Sequence, residues 1–135
     1  MTEQQAVEAI KEAFATGWAA AYPAVPYFFD NEAGAAGGSF VRVTFLPTTS
    51  ALATMGPPGQ RRWLRRGYIV VQLFAPVDQG SATLDGYVET VRGLLEGASI
   101  AADVATDDAG AERKPDDGTW AQMNVRIAYR VYDSH

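Results

Sequence analysis

Four arginines and a tryptophan fall within six residues, as Arg61, Arg62, Trp63, Leu64, Arg65 and Arg66. A guanidinium is a planar fork that pairs bidentately with carboxylates or phosphates. Tryptophan and arginine are also the side chains most often found at binding hot spots. The cluster therefore has three readings: a solvated strand end, a phosphate or nucleic-acid site, or a contact with protein carboxylates. The chain has carboxylates of its own to offer. Residues 77–117 hold ten acids against three bases, with Asp107, Asp108, Asp116 and Asp117 the most crowded. Before the cluster the only basic residues are Lys11 and Arg42.

Other reactive groups are scarce. The one histidine, His135, is the last residue, where a base or metal ligand would be poorly held. No cysteine is present, which excludes disulfides, thiolate metal sites and a thiol nucleophile. Neither a hydrolase nucleophile elbow nor a P-loop occurs. The glycine-rich run 34–38 lacks the lysine and helix of a phosphate loop and reads as a flexible turn. The aspartates of 103–117 lack the ligand spacing of a calcium loop. They read as a solvated hairpin tip or as an acidic contact surface. A carboxylate-based hydrolase or isomerase would need a buried acid in a pocket, and Asp30 and Asp103 lie only at strand ends. The expectation is no enzyme, no cofactor and no metal.

The 135 residues suit one domain, residues 1–135, with 47% hydrophobic and 20% charged residues. The net charge of −5 argues against general nucleic-acid binding. The polar start Met1–Gln5 is unlike a signal peptide, and no apolar run nears the ~18 residues of a membrane span. A cytoplasmic site of synthesis and no membrane partner follow as expectations.

The patterning that must position these groups is clear at both ends. Residues 2–21 read as an amphipathic helix capped by Thr2, with Val7, Ile10, Phe14, Trp18 and Ala21 on one face. Gly17 looks like a flaw costing roughly 1 kcal/mol. Residues 27–30 and 40–46 read as strands forming a hairpin around a loop at 31–39. Residues 47–60, containing Gly56-Pro57-Pro58-Gly59, read as a long loop. Residues 63–75 form a strand apolar on both faces, hence central or covered. A helix at 82–96 follows, with Leu84, Tyr87, Val88, Val91, Leu94 and Leu95 inward, Ser81 or Thr83 as cap, and Gly97 beyond its end. A weak strand at 99–105 and a polar connector at 106–118 precede the last strand, 120–132. There Ala121, Met123, Val125, Ile127, Tyr129 and Val131 face inward, and Gln122, Asn124, Arg126 and Arg130 outward. The order α-β-β-β-α-β-β predicts an α+β domain: an antiparallel or mixed sheet with two helices on one face.

Several stretches together resemble the tail terminator proteins of long-tailed bacteriophages. They are Phe14-x-x-x-Trp18, Pro26-Tyr27-Phe28-Phe29-Asp30-Asn31, Phe40-Val41-Arg42-Val43, Arg66 through Pro76 with Gly80, and Gly118 through Val125. The resemblance covers most of the chain, and its motifs are structural. It implies a hexameric ring on the finished tail tube that ends tube polymerisation and joins the head-side connector. The implied partners are further copies of the chain, the major tail tube protein and the neck protein, with genomic DNA passing through the lumen unbound. The implied location is the tail–neck junction of the virion. On this view Arg61, Arg62, Trp63, Arg65, Arg66, Asp107, Asp108, Asp116 and Asp117 belong to subunit, tube or neck interfaces. A ring of six would carry about −30, six times the formal −5, and a negative lumen wall would let DNA slide. The alternative is a small nucleic-acid or phosphate-binding domain using the arginines at 61–66.

Overall fold

Apolar side chains at steps of four draw the first helix onto a sheet. In the computed structural model, α1 (Glu3–Ala21) buries Ala6, Ile10, Phe14 and Trp18. Val7 is half-buried and Ala21 is exposed, so the buried stripe runs one residue earlier at its start than the periodicity predicts. Trp18 has no exposed surface, and its indole N–H donates to the Val25 carbonyl at 3.1 Å. Phe14 stacks on it at 5.7 Å. The structure describes residues 3–29, 39–52, 62–76, 80–101, 103–114 and 120–134. The predicted Thr2 cap, the glycine run at 34–38, residues 53–61, Asp116, Asp117 and His135 lie outside them.

After α1 come β1 (Tyr27–Phe29), β2 (Phe40–Leu52), β3 (Arg62–Pro76), α2 (Gly80–Leu95), β4 (Ser99–Ala101), β5 (Val104–Lys114) and β6 (Trp120–Ser134). The six strands make one sheet in the order β1-β2-β3-β6-β5-β4. β1 runs parallel to β2, and the other neighbours are antiparallel. This is the expected α+β domain with a mixed sheet, carrying one strand more than expected.

Three local expectations are corrected. First, β1 and β2 are not a hairpin: Tyr27 pairs Val41 and Phe29 pairs Val43 in parallel register. The ten residues between Phe29 and Phe40 can span up to about 33 Å, ample for a return along so short a strand. Second, β2 continues through the first part of the predicted loop, with Ser50 opposite Arg65 and Leu52 opposite Trp63. Pro47 is tolerated because a register shift follows it. Third, most of the predicted acidic connector is β5, paired along β6 from Val104 to Lys114. Its polarity hid it, since much of its length faces solvent.

The core lies between the helices and one side of the sheet. Val41, Val43, Ile69, Val71, Leu73, Val125, Ile127, Tyr129 and Val131 meet Leu84, Tyr87, Val88, Val91 and Leu95 of α2 and the α1 stripe. Burying each such aliphatic side chain contributes about 1.5–3 kcal/mol. α2 is tied to β5 through Thr106, which is buried. The Thr106 hydroxyl donates to the Leu95 carbonyl and accepts from the Ala98 N–H at 2.9 Å. Gly97 adopts φ 59°, as its place after the helix end predicts.

One transverse row crosses four strands: Pro47, Gly67, Tyr129 and Thr106. Register shifts adjoin it at Pro47/Thr49 and at Thr106/Ala109. Beyond it, on the helix side, Val131 and Val104 stay buried on β6 and β5, while β2 and β3 turn polar at Ser50 and Arg65, which meet Asp133.

Candidate interaction surface

Alternation along β3 and β6 divides the arginines between the two sides of the sheet. Arg65 shares the helix side with Gly67 and Ile69. Its Nε donates to Asp133 Oδ2 at 2.9 Å and its Nη1 to Ser50 Oγ at 2.8 Å. Asp133 is only 6% exposed. Arg65 is thus engaged within the chain, and its guanidinium lies 5.9 Å from the half-buried Trp63 ring. Asp133 is a buried carboxylate that reading acids only at 30 and 103 passes over. The inward alternation 127, 129, 131 points to it.

Arg66 projects to the opposite side, exposed, and stands directly across from Arg130. Like charges placed opposite each other on a sheet repel. Asp107, brought in by the β5 bulge, relieves one of them: Arg130 Nη2 lies 3.1 Å from Asp107 Oδ1. The Arg130 Nε is buried with no hydrogen-bond partner among the described residues. Thr48, Arg66, Tyr68, Asp107, Ala128 and Arg130 line a hollow of about 430 Å³. One step along, the Arg126 guanidinium sits 4.0 Å from the Tyr68 ring centroid. Arg126 also borders a groove of about 460 Å³ with Leu46, Val70, Glu112, Lys114 and Asn124.

The far end of this side is aromatic. Phe40 stacks on Phe74 at 4.5 Å and meets Trp120 edge-on at 5.2 Å. Phe28 joins at 6.3 Å. No described helix lies over this side, which leaves Leu46 as an exposed large apolar residue, 43% accessible. Of the residues expected to mark interfaces, Arg66 and Asp107 are therefore brought together beside Arg130. Asp108 is exposed in the same bulge. Arg62 lies in β3 opposite Ser134, and Arg61, Asp116 and Asp117 lie outside the described residues. Arg42, Arg126 and Arg130, isolated in the sequence, are the members that cluster reasoning does not reach. Their shared strand parity is the signal that groups them.

Burial, aided by nearby Glu3, pushes the Tyr129 hydroxyl up to about 12, and that hydroxyl has no hydrogen-bond partner among the described residues. Among the described residues no group of three or more histidines, cysteines or carboxylates could hold a metal ion. No described helix is long and apolar enough to cross a membrane.

No protein-family model matches the chain. No curated protein matches it either. Solved structures do: the fold is similar to a chain from the "virion of native gene transfer agent (GTA) particle". The TM-score is 0.53 at 18% sequence identity, over 97% of this chain and 95% of that one. At that identity the likeness establishes the fold.

Proposed function

We propose that the chain is a structural virion protein that terminates a phage tail: a ring, hexameric by the resemblance, seated on the finished tail tube. In this role it ends tube polymerisation and presents a surface to the head-side neck protein, while DNA passes through the lumen unbound. The observation that carries the reading is the end-to-end fold likeness to a chain of a virion particle. The tail-terminator motifs in the sequence sharpen it from virion protein to tail end. Within the cluster that invited a phosphate-site reading, Arg65 is already paired with Asp133, which takes one guanidinium from that alternative.

The test is the phenotype of particles lacking the chain. Tails of uncontrolled length and unjoined heads are expected, with normal length restored by the chain supplied in trans. Tails of normal length joined to heads in its absence would overturn the reading. Reversal of charge at Arg61 and Arg62 is expected to block tail completion with the fold intact.

A further inference from the structure

We propose that the open side of the sheet is the seat for α1 of a second copy of the chain, the acidic outer face of that helix lying against the arginines. The inference rests on the ring reading and states which surfaces make the ring.

Charge is sorted between the two sides of the molecule. On the helix side Glu3, Glu8, Glu12, Asp85, Glu89, Glu96 and Asp133 stand against Lys11, Arg65, Arg92 and Arg113. On the open sheet side Arg42, Arg66, Arg126, Arg130 and Lys114 stand against Glu112 and the bulge pair Asp107 and Asp108. A chain of net charge −5 thus carries a basic face opposite an acidic one. Among the described residues Asp107 is the carboxylate in contact with Arg130, and Arg66 stands exposed directly across from Arg130. Such a site is completed by an incoming carboxylate, which would accept from both arginines.

The apolar ends match as well. α1 is acidic over its first half, with Glu8 65% and Glu12 also exposed, and ends in exposed Ala19, Ala20 and Ala21. The sheet side runs from the arginine row to the Phe40–Phe74–Trp120 cluster. From Phe74 the Arg126 row is about 13 Å away and the Arg66 row about 26 Å, at ~3.3 Å per strand residue. From Ala20, Glu12 lies about 12 Å away and Glu8 about 18 Å, at 1.5 Å per helix residue. Small alanines let a helix approach the aromatic rings while Glu12 falls level with the Arg126 row, and Glu8 stops about 8 Å short of the Arg66 row, a gap for the long side chains to span. Because the two surfaces differ, each copy offers one to each neighbour. Such head-to-tail contacts close into a ring when the rotation permits. The contact also hides the arginines between subunits, away from the DNA path.

The absence of native cysteine makes the test clean. The double variant Glu12→Cys/Arg126→Cys is mildly oxidised, since its two thiols lie on opposite sides of one molecule and can bridge only between copies. The expected result is a covalent ladder ending at the ring number, with each single variant giving dimers at most. Charge reversal at Glu8 and Glu12, or at Arg66 and Arg130, should each weaken association about tenfold or more. Combining both reversals should restore it. Native mass spectrometry of the wild-type chain separates the failures. A ring with no ladder and no rescue would place the contact elsewhere and leave the ring reading standing. A chain that remains single at every concentration and on tails would overturn both. No ladder, together with loss of single-stranded DNA binding on reversing Arg66 and Arg130, would assign the face to nucleic acid instead.

Discussion

Tyr129 lies directly across from Gly67, and its ring fills the space where a side chain at Gly67 would go. A Cβ on Gly67 would fall 2.5 Å from the Tyr129 hydroxyl and 2.7 Å from the Leu46 carbonyl oxygen. One obstacle is a buried ring and the other is backbone, so neither yields cheaply. Gly67→Ala is therefore expected to cost about 2–4 kcal/mol, within the range of overpacking and strain. Chemical denaturation with the chevron midpoint as readout checks this. A loss below about 1 kcal/mol would show that the ring moves freely.

Two helix glycines should respond in opposite directions. Gly17 sits where α1 meets α2, and a Cβ there would run into the Leu94 side chain. At Gly93 a Cβ would meet nothing within 4 Å. Gly93→Ala should stabilise by roughly 0.5–1 kcal/mol through helix propensity. Gly17→Ala should gain nothing or lose stability despite the same propensity. Thermal melts of the two variants side by side decide it.

Removing one partner of the Arg65–Asp133 pair should be worse than removing both. Asp133→Ala leaves Arg65 its hydrogen bond to Ser50 and its contact with the Trp63 ring but no carboxylate among the described residues, and is expected to cost about 2–4 kcal/mol. The double variant Arg65→Met/Asp133→Leu should recover most of that, because two apolar groups need no compensation. Equal losses in the single and double variants would contradict a coupled pair.

The raised Tyr129 hydroxyl sets an alkaline limit. Unfolded tyrosine ionises near its ordinary value of 10, whereas the folded form holds its proton to about 12. The folded state binds more protons in that window, so stability falls as pH rises from 10 to 12. Below 10 both states are protonated and the group is neutral in effect. Tyr129→Phe should shallow the alkaline fall and change stability at neutral pH by less than about 1 kcal/mol, since the hydroxyl has no hydrogen-bond partner among the described residues. Urea titrations at neutral pH and at steps up to 12 provide the measurement.

Strong periodicity made the helices and the inner halves of β3 and β6 legible in advance. Ile10, Phe14 and Trp18, or Val125, Ile127 and Tyr129, can satisfy their spacing in one way only. The outer strands were harder. Pro47-Thr48-Thr49-Ser50 carries no apolar alternation because its partners, Arg65 and Arg66, are charged. Val104–Lys114 pairs on one side with the three-residue β4, so solvent shapes its composition more than the core does. The parallel pairing of β1 depends on a connection whose path no local propensity specifies. The surface was legible in part. The run at 61–66 reads as one cluster in the sequence, but strand alternation sends Arg65 to Asp133 and Arg66 to the side of Arg130. The basic face gathers residues far apart in sequence, and only register brings them together.

The row of Pro47, Gly67, Tyr129 and Thr106 has a mechanical consequence. Proline offers no amide hydrogen, glycine no side chain, and the adjoining bulges interrupt the ladder on both flanks. The sheet is therefore expected to bend most readily along this line, like card that has been scored. Load on the strand ends beyond it is expected to be taken up first at that line. Val104 and Val131, buried just beyond the row, tie those ends to the hydrophobic layer and limit how far they can swing.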